Sequence, residues 1–502
     1  MATAAGAAVG AEFASPFSSH MVLQRGMKVP VWGNGEPGEK VTVSFADQKL
    51  TATANAKGRW WVGLKPMEAS CEGRELTLVF AKGKTTLEDV VVGEVWLCAG
   101  QSNMGVPMCG GSPRYRDRQG ALIAQMTHRP MLRYAMTPSG KWDFEQYDTT
   151  GSKIAWQMAT AENLMSGCSF SAVAIYFGLD LEAELRIPVG LVGVYRGATG
   201  IDSWTPREGT LTRPDLKDVA EWQFIPADKW TKACAKGAID QPDMQPSVYF
   251  NTIVAPWVPF ACRGIIWYQG EHESVSEPHR YCSKLHALFD GWKLKFGNPK
   301  LKFYYVQIPT YGVNVAPMQE AMAQFEREEP AAAMAVVTDV GNPRDVHPNE
   351  KALVGHRLAL HALKRDYGFE KIRDNSPTPE SWRAVGDTFE VTFRDAKNLY
   401  IYDLDFKYEK NPEVDTQFEL AGADGVWKPA KFVNLEASRA WSLDPNVYNK
   451  EYKGTFEGGN KLVLKAAGVS APKKLRYLHC RPWVGNIFNE VNLPLGAFTI
   501  GD

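Results

Sequence analysis

One serine of the chain stands where a nucleophile is expected. Ser102 lies in WLCAGQSNMG (96–105), after an apolar run over 90–97 that predicts a buried strand. Ligands of α/β folds bind at the ends of such strands, so its hydroxyl is a candidate nucleophile. The spacing G-x-S-x-x-G is not G-x-S-x-G, so the nucleophile elbow of the α/β hydrolases is absent. The alternative interpretation is a serine that only caps a turn or a helix.

A histidine with a nearby carboxylate follows much later in the chain. In DVGNPRDVHPNEKALVGHRLALHAL (339–363), Asp345 precedes His347 by two residues, and Pro348 then opens a predicted helix. A serine nucleophile needs a base of near-neutral pKa, and that base needs a carboxylate or carbonyl on its other ring nitrogen to fix its tautomer. Asp345 and His347 can supply both groups from one loop. The other histidines fit structural roles, except that His272 adjoins a third motif.

That third motif is WYQGEHES (267–274), directly after the predicted strand RGIIW. The side-chain N–H of Gln269 can stabilise an oxyanion, and Glu271 can orient a donor or a histidine. The motif is not the H-E-x-x-H of zinc proteases, because the second histidine is absent. The eight cysteines contain no C-x-x-C pair, which gives neither a zinc signature nor a disulfide framework. We therefore predict no metal site and no cofactor.

Three regions of different periodicity must position these side chains. Residues 16–92 contain short alternating strands, such as VTVSF (41–45), and predict an antiparallel β-rich domain. Residues 93–374 alternate helical stripes with apolar strands and predict an α/β domain with a parallel sheet. Residues 375–502 return to β alternation and predict a second β-rich, sandwich-like region. Residues 1–15 lack a signal-peptide pattern and are predicted to be a flexible leader.

Within the predicted α/β domain, apolar residues recur at helical spacing over 172–185, and a strand apolar on both faces follows over 188–195. The polar, proline-containing segment 205–246 predicts a long excursion over this domain. Such an excursion either shapes a binding cleft or is a surface insertion without a role.

The length and composition of the whole chain argue against several classes of protein. Its 502 residues are enough for two to four domains with large buried cores. The 56 Lys and Arg residues balance 57 Asp and Glu residues without long runs of either sign, which argues against a nucleic-acid partner. No apolar run approaches the roughly 18 to 20 residues of a membrane span. The sequence indicates no oligomeric state.

Taken together, the motifs resemble the sialate O-acetylesterase family, a branch of the GDSL-like (SGNH) serine hydrolases. The similarity covers nearly the whole chain from Ser15 on, and several motifs in one order are more specific than any one alone. The motifs that carry it are SPFSSHMVLQRGMKVPVWGNGEPGEKVTVSF (15–45), GEVWLCAGQSNM (93–104), YFNTIVAPW (249–257), WYQGE (267–271), DVGNPRDVHPNEKALVGHRLA (339–359) and LRYLHCRPWVGNIFNEVNLPLGAF (475–498).

The resemblance implies a fold and a catalytic group. The fold is an SGNH-type parallel-sheet hydrolase domain with the two β-rich regions on its flanks. Ser102 is the implied nucleophile of a serine acetyl-enzyme mechanism, and His347 is the implied general base. Asp345 then orients His347, although many members carry the aspartate one position earlier, where this chain has Arg344.

The resemblance also implies an oxyanion hole. Its donors are the backbone N–H groups of Ser102 and Gly197 and the side chain of Gln269. The family's Gly-Gly-Thr segment is RGATGIDSW (196–204) here, with Ala198 in place of the second glycine. The family's QGES is QGEH, with His272 in place of the serine.

The implied activity is removal of O-acetyl groups from sialic acids, of the 9-O-acetylesterase type, in a secreted or periplasmic protein. One alternative is an esterase for acetylxylan or another polysaccharide with the same catalytic centre, and another is a glycan-binding protein without activity. The partner is in each case an O-acetylated sugar or glycan. Trp204, Trp267 and Glu271 are candidate substrate-binding residues, with a core role as the alternative for each tryptophan.

Overall fold

A computed structural model of the chain describes residues 10–108, 131–138, 154–167, 170–222, 245–404, 416–437, 450–480 and 484–502. The chain divides into two compact units. The first comprises the residues up to Trp267 together with Ser283–Phe303, and the second comprises Tyr268–Cys282 and Tyr304–Asp502.

The strands and helices of the described residues are numbered in chain order. The strands up to residue 268 are β1 (Glu12–Phe13), β2 (Val22–Gln24), β3 (Val29–Asn34), β4 (Lys40–Phe45), β5 (Gln48–Thr53), β6 (Arg59–Leu64), β7 (Ser70–Phe80), β8 (Gly83–Gly100), β9 (Leu132–Met136), β10 (Trp156–Met158), β11 (Val189–Tyr195) and β12 (Gly264–Tyr268). The later strands are β13 (Lys302–Gln307), β14 (Ala332–Val336), β15 (Thr378–Val385), β16 (Thr388–Arg394), β17 (Leu399–Leu404), β18 (Phe418–Ala421), β19 (Trp427–Phe432), β20 (Leu435–Ala437), β21 (Lys450–Phe456), β22 (Lys461–Ala466), β23 (Lys474–Tyr477), β24 (Ile487–Asn489) and β25 (Phe498–Gly501). The α-helices are α1 (Ser102–Gly105), α2 (Ala161–Gly167), α3 (Ala172–Leu185), α4 (Arg207–Thr210), α5 (Lys217–Trp222), α6 (Tyr281–Phe296), α7 (Ala316–Glu328) and α8 (Lys351–Tyr367). Short 3-10 helices cover Ile201–Trp204, Pro214–Leu216, Ala255–Trp257, Glu273–Val275 and Pro278–Arg280, and Phe250–Val254 is π-helical.

The amino-terminal strands form antiparallel ladders, as their alternating pattern predicts. β4 buries Val41, Val43 and Phe45 and leaves the residues between them partly exposed, because successive side chains of a strand point to opposite faces. β4 pairs with β5 and β7, and β7 pairs with β8. β1, β3 and β6 form a separate three-stranded sheet. The predicted antiparallel β-rich region is confirmed.

The prediction of a flexible leader is wrong for residues 11–15. Phe13 lies in β1, which pairs with β3, and its ring lies 6.1 Å from that of Phe17 and 5.9 Å from that of Trp60. Ala11 and Ala14 are also buried. An aromatic anchor and two small residues fit this sheet closely, although the weak hydrophobicity of the segment does not indicate burial. Residues 1–9 of the predicted leader lie outside the described residues.

The predicted boundary between residues 92 and 93 falls inside a single strand. β8 pairs with β7 in antiparallel fashion along its first part and with β11 in parallel fashion along its last part. Its buried Glu94 accepts hydrogen bonds from Arg25 at 2.5 Å and from Arg263 at 2.9 and 3.0 Å. Burial alone would raise the pKa of Glu94, but the hydrogen bonds and charges of the arginines lower it. One strand and one ion cluster therefore join these regions within the first unit.

In the first unit, the carboxyl ends of two parallel strands, β8 and β11, lie side by side. β9, β11 and β8 run parallel, and β10 pairs antiparallel with β9, so the sheet is mixed. In the sheet order, β8 lies between β11 and β12. Helix α3 has the bounds predicted from its periodicity; the Ser171 Oγ accepts the N–H of Ala174 at 3.1 Å and caps it. The register of β11 on β8 then sets Tyr195 opposite Gly100 at the carboxyl ends of both strands.

The second unit contains the rest of the α/β elements and the carboxyl-terminal strands. β13 and β14 are neighbours in the sheet, and helices α7 and α8 follow them in sequence. The later strands form two sheets with the orders β15-β16-β22-β19-β18-β23-β25 and β20-β21-β17-β24. Residues of both sheets, such as Val391 and Ile401, share one buried hydrophobic core. The predicted boundary at 374–375 lies between α8 and β15 and stays a prediction.

Two further predictions concern the cysteines and the membrane. Cys98, Cys262 and Cys282 are buried free thiols, Cys480 is half-buried and Cys71 is exposed. The other three, Cys109, Cys168 and Cys234, lie outside the described residues. In the part of the chain that the structure describes, no helix combines the length and the hydrophobicity that a membrane crossing requires.

Candidate active site

Ser102 begins helix α1 directly after the carboxyl end of β8. Gly100 ends the strand with a φ of 138°, in the range that favours glycine, and turns the chain out of the sheet. The N–H of Gly105 donates to the carbonyl of Gln101 at 2.9 Å and closes the short helix. The serine is half-buried. Ser102 therefore lies at the end of a buried strand, which is the position expected of the candidate nucleophile.

Gly197 lies beside Ser102. The N–H of Arg196 donates to the carbonyl of Gly100 at 3.1 Å, which continues the pairing of β11 with β8 past the ends of both strands. A Cβ atom on Gly197 would lie 3.3 Å from the Cβ of Ser102 and 3.9 Å from its backbone nitrogen. A side chain at this position would press on the serine, so glycine keeps the space beside it open. The structure thus brings together two of the residues singled out in the sequence.

Ala198 stands where the family pattern has its second glycine, and its backbone conformation explains why glycine is favoured there. Ala198 has a φ of 57°, in the left-handed region, where a residue with a Cβ atom pays about 1 to 2 kcal/mol. The Oγ1 of Thr199 donates to the carbonyl of Arg196 at 2.9 Å and helps to hold this turn. Glycine adopts the same conformation without steric cost.

We expect Ala198→Gly to raise the free energy of unfolding by about 0.5 to 1 kcal/mol, because the relief of the left-handed strain exceeds the added entropy of the unfolded chain. Denaturant titration measures the change. Ala56→Gly is the matched control, because Ala56 is exposed and has no positive φ, and its substitution should lower the free energy of unfolding instead. If both substitutions lowered the free energy of unfolding, the proposed backbone strain at Ala198 would be wrong.

Trp204 and Trp267, the two tryptophans that were candidates for binding a sugar by stacking, lie in the core of the first unit. Trp204 and Trp267 are both 0% exposed and their rings meet at 6.3 Å in an edge-on contact. The indole N–H of Trp204 donates to the Oγ1 of Thr199 at 2.9 Å, and its ring stacks on that of Tyr249 at 5.2 Å. A fully buried ring offers no face to a sugar, so the stacking role is wrong and the core alternative holds. Trp204 instead supports the loop that carries Gly197.

In the second unit, Gln269 follows the end of β12 and is fully buried. Its Nε2 donates to the Oε2 of Glu273 at 2.6 Å, and its Oε1 accepts from the hydroxyl of Tyr281 at 2.6 Å. An ionised carboxylate can only accept hydrogen bonds, so Glu273 fixes which end of the amide carries nitrogen. The same hydroxyl also lies 2.8 Å from the backbone carbonyl of Gln269. The amide is therefore held in one orientation, with one N–H directed at Glu273.

Glu271 is buried in the loop that follows Gln269, at 6% exposure. Its backbone carbonyl lies within hydrogen-bonding distance of the Tyr311 hydroxyl, at 2.8 Å, and of the Ser274 hydroxyl, at 2.9 Å. The two hydroxyls are 2.6 Å apart. This network fixes the backbone of the loop and leaves its next residue, His272, with an exposed side chain.

The loop that carries Asp345 and His347 is anchored at both ends. At its start, Asp339 accepts from Arg357 of α8 at 2.6 and 3.0 Å, in a buried ion pair. The N–H of Asn342 donates to the carbonyl of Thr310 at 3.0 Å and ties the loop to the segment after β13. The loop then enters α8 at Lys351.

Asp345 contacts the backbone of His347 more closely than its ring. The Asp345 Oδ1 accepts the backbone N–H of His347 at 2.9 Å and lies 3.9 Å from the ring Nδ1. The longer distance is an electrostatic contact rather than a hydrogen bond. Burial, followed by the charge of Lys351, lowers the pKa of His347, and the Asp345 carboxylate opposes this by raising it. Both side chains keep access to solvent, at 42% exposure for His347 and 52% for Asp345.

Lys351 is a part of this site that the sequence analysis missed. It is only 1% exposed, and burial lowers its pKa to about 7, while Glu271 and Asp345 act to raise it. Its Nζ lies 5.1 Å from the ring centroid of Tyr268. The sequence contains no signal for it, because lysine is almost always exposed and His347, four residues earlier, lies before the helix rather than on it.

The predicted site residues thus fall into two groups. Ser102 and Gly197 adjoin each other in the first unit. In the second unit, the charges of Glu271 and Asp345 raise the pKa of Lys351, and the charge of Lys351 lowers the pKa of His347. Gln269 lies two residues before Glu271.

Comparison with known proteins shows similarity to carbohydrate esterases. Residues 229–364 match the family described as carbohydrate esterase, sialic acid-specific acetylesterase. The chain is 26% identical to the sialate O-acetylesterase of Rattus norvegicus over 500 aligned positions, and the alignment covers 88% of each chain. It is also 26% identical to the Homo sapiens sialate O-acetylesterase over 410 aligned positions, and that alignment covers 74% of each chain.

A solved structure extends the match to the fold. The crystal structure of a carbohydrate acetylesterase from Xanthomonas citri aligns with a TM-score of 0.79 at 26% identity and covers 98% of this chain and 99% of that one. The resemblance recognised from the motifs is confirmed by sequence and by structure. By sequence and by fold, the chain is thus similar to the sialate O-acetylesterases and to a carbohydrate acetylesterase.

Proposed function

We propose that the protein is a carbohydrate O-acetylesterase of SGNH type that works through an acetyl-enzyme on Ser102. The observation that carries this proposal is the place of Ser102, half-buried after a glycine-ended buried strand and beside Gly197. The similarity to sialate O-acetylesterases and to a carbohydrate acetylesterase supports an acetyl ester as the bond that is cleaved. The buried loop bearing Gln269 and the anchored loop bearing His347 support it from the second unit.

In the proposed mechanism, the Ser102 Oγ attacks the acetyl carbonyl while His347 takes its proton. The oxygen that gains negative charge accepts from the N–H groups of Ser102 and Gly197 and from the second N–H of Gln269. Glu273 and Tyr281 support this by holding the amide of Gln269 rigidly. The imidazolium then protonates the departing sugar oxygen, and water activated by neutral His347 hydrolyses the acetyl-enzyme.

The substrate that we propose is an O-acetylated sialic acid, with the 9-O-acetyl group as the target. The curated relatives from rat and human are named sialate O-acetylesterases and support this choice. The Xanthomonas citri protein is described more broadly as a carbohydrate acetylesterase, which supports acetylated polysaccharide as the second candidate. A secreted or periplasmic location follows from the same family resemblance and is part of the proposal.

Acetate release from 9-O-acetylated sialic acid and from acetylated xylan, measured side by side on the full chain, tests the substrate. We expect a kcat/KM at least about tenfold higher for the sialic acid, which corresponds to about 1.4 kcal/mol of transition-state preference. Ser102→Ala is the blank for each substrate. A higher value on xylan would replace the sialic acid by a polysaccharide, and no release above the blank from either would remove the proposed function.

A further inference from the structure

Two turns in succession lead the chain to His347. In the first turn, the N–H of Asp345 donates to the carbonyl of Asn342 at 3.1 Å, and the N–H of Arg344 donates to the Oδ1 of Asn342 at 2.9 Å. The second turn begins at Asp345, whose Oδ1 accepts the N–H of His347 at 2.9 Å. In both turns a side-chain oxygen holds the N–H two residues later. The backbone of His347 therefore depends on Asn342 by way of Asp345.

The first turn has the residues that its backbone requires. Pro343 holds φ near −65° at the second position, and Arg344 at the third position has no positive φ, which together match a type I turn. Asparagine is favoured at the first position of such turns, because its side chain can accept a backbone N–H. An alanine at position 342 would keep the backbone acceptor and lose the side-chain acceptor.

Asn342 also joins this turn to the segment after β13. Its N–H donates to the carbonyl of Thr310 at 3.0 Å, and it forms an isolated parallel bridge with Tyr311. A Cβ atom on Gly341 would lie 2.7 Å from the carbonyl oxygen of Thr310, so only glycine allows this close approach. Thr310 is itself buried, at 1% exposure. One end of the first turn is thus fixed to a buried backbone.

The second turn has less support of its own. Asp345 and His347 are 52% and 42% exposed, and the Asp345 Oδ1 lies 3.9 Å from the ring Nδ1, which is too far for a hydrogen bond. In this structure the carboxylate holds the backbone of His347 rather than its ring. A general base must come within hydrogen-bond reach of the hydroxyl that it deprotonates, and a displacement of about 1 Å can cost about 100-fold in rate. The place of the imidazole therefore depends on the two turns.

We propose that Asn342 is a positioning residue that places the imidazole of His347 through the successive turns that begin at Asn342 and Asp345. The inference rests on the proposed function, in which His347 is the general base. It adds to that function a residue that touches neither the substrate nor the reacting atoms.

The decisive pair of variants is Asn342→Ala and Asn342→Asp, assayed on p-nitrophenyl acetate. We expect Asn342→Ala to lower kcat by about 10 to 100-fold and to leave KM within about twofold of the parent, because the base is displaced and the substrate contacts are kept. Asn342→Asp keeps an oxygen that can accept the N–H of Arg344 and should retain at least about a third of the parental kcat. At about pH 8 the imidazole is neutral, since its pKa lies below the ordinary histidine value, so the comparison is free of protonation effects.

Asn55→Ala is the matched control. The Oδ1 of Asn55 accepts the N–H of Lys57 at 2.9 Å in a turn of the same kind, between β5 and β6 in the first unit. Its loss should leave kcat within about twofold of the parent, even where it lowers the free energy of unfolding. A general loss of stability would affect both alanine variants, whereas displacement of the base affects only Asn342→Ala.

Hydrogen–deuterium exchange of peptides that cover residues 341–349 follows the loop without any need for activity. Asn342→Ala removes an acceptor of the Arg344 N–H, so exchange in this loop should become at least about tenfold faster, whereas Asn342→Asp should exchange like the parent. A parent protein without esterase turnover would remove the proposed function, while the exchange rates would still decide whether Asn342 holds the loop.

Asn342→Ser serves if Asn342→Ala does not fold, because a serine hydroxyl can make the same turn more weakly. It should lower kcat by about 3 to 10-fold, between the aspartate and alanine variants. The proposal is overturned if the alanine or serine variant keeps the parental kcat or the parental exchange, if Asn55→Ala loses as much activity, or if Asn342→Asp does not restore the rate.

Discussion

Ser102→Ala should abolish acetyl-ester hydrolysis and leave the protein folded. The hydroxyl is the atom that forms the covalent bond to the acetyl group, so we expect kcat/KM on p-nitrophenyl acetate to fall by at least about 10³-fold. The short helix α1 keeps its backbone hydrogen bond from Gly105 to Gln101 without the hydroxyl. The midpoint of thermal unfolding should therefore stay within about 2 °C of the parent, which differential scanning fluorimetry measures.

Ser381→Ala is the control for Ser102→Ala. Ser381 lies on β15 with an exposed side chain, and its substitution should change neither the rate nor the unfolding midpoint. A Ser102→Ala protein that keeps near-parental turnover after removal of contaminating esterases would show that another group is the nucleophile.

The second large effect should separate His347 from Asp345. His347→Ala removes proton transfer itself, and we expect it to lower kcat/KM by about 10³ to 10⁴-fold. Asp345→Asn should cost about 10 to 100-fold, because the asparagine Oδ1 can still accept the backbone N–H of His347 at 2.9 Å while the charge near the ring is lost. The ranking follows from the distances, since the Asp345 Oδ1 lies 3.9 Å from the ring Nδ1.

The pH profile gives the sign of the Asp345 effect. The rate should rise with pH as His347 becomes neutral, with a midpoint below the usual histidine value because burial and Lys351 lower the pKa of His347. Asp345 raises this pKa, so Asp345→Asn should move the midpoint to lower pH while it reduces the plateau.

One outcome would leave His347 without its proposed carboxylate. If Asp345→Asn kept both the plateau and the midpoint of the parent while His347→Ala was inactive, the orienting carboxylate would lie elsewhere or be absent. The chemistry would then depend on Ser102 and His347 alone.

Many of the elements and the resemblance to sialate O-acetylesterases follow from the sequence by itself, because both rest on local patterns. The apolar spacing that predicts α3 and the alternation that predicts β4 express which faces must be buried, and the structure has them there. The motifs around Ser102, Gln269 and His347 are likewise contiguous. A short stretch of chain is enough to recognise them.

Tertiary structure alone decided the environment of individual side chains. Trp204 has an aromatic ring of the kind that stacks on sugars, but the ring is buried against Tyr249 and Trp267. Phe13 belongs to a weakly apolar segment, but its ring packs in a core against Trp60. Lys351 is the clearest case, because burial lowers its pKa while the charge of Glu271, eighty positions earlier in the chain, acts to raise it. The free energy of a charge is set by the groups that surround it in space, and a linear pattern contains no record of those groups until the chain has folded.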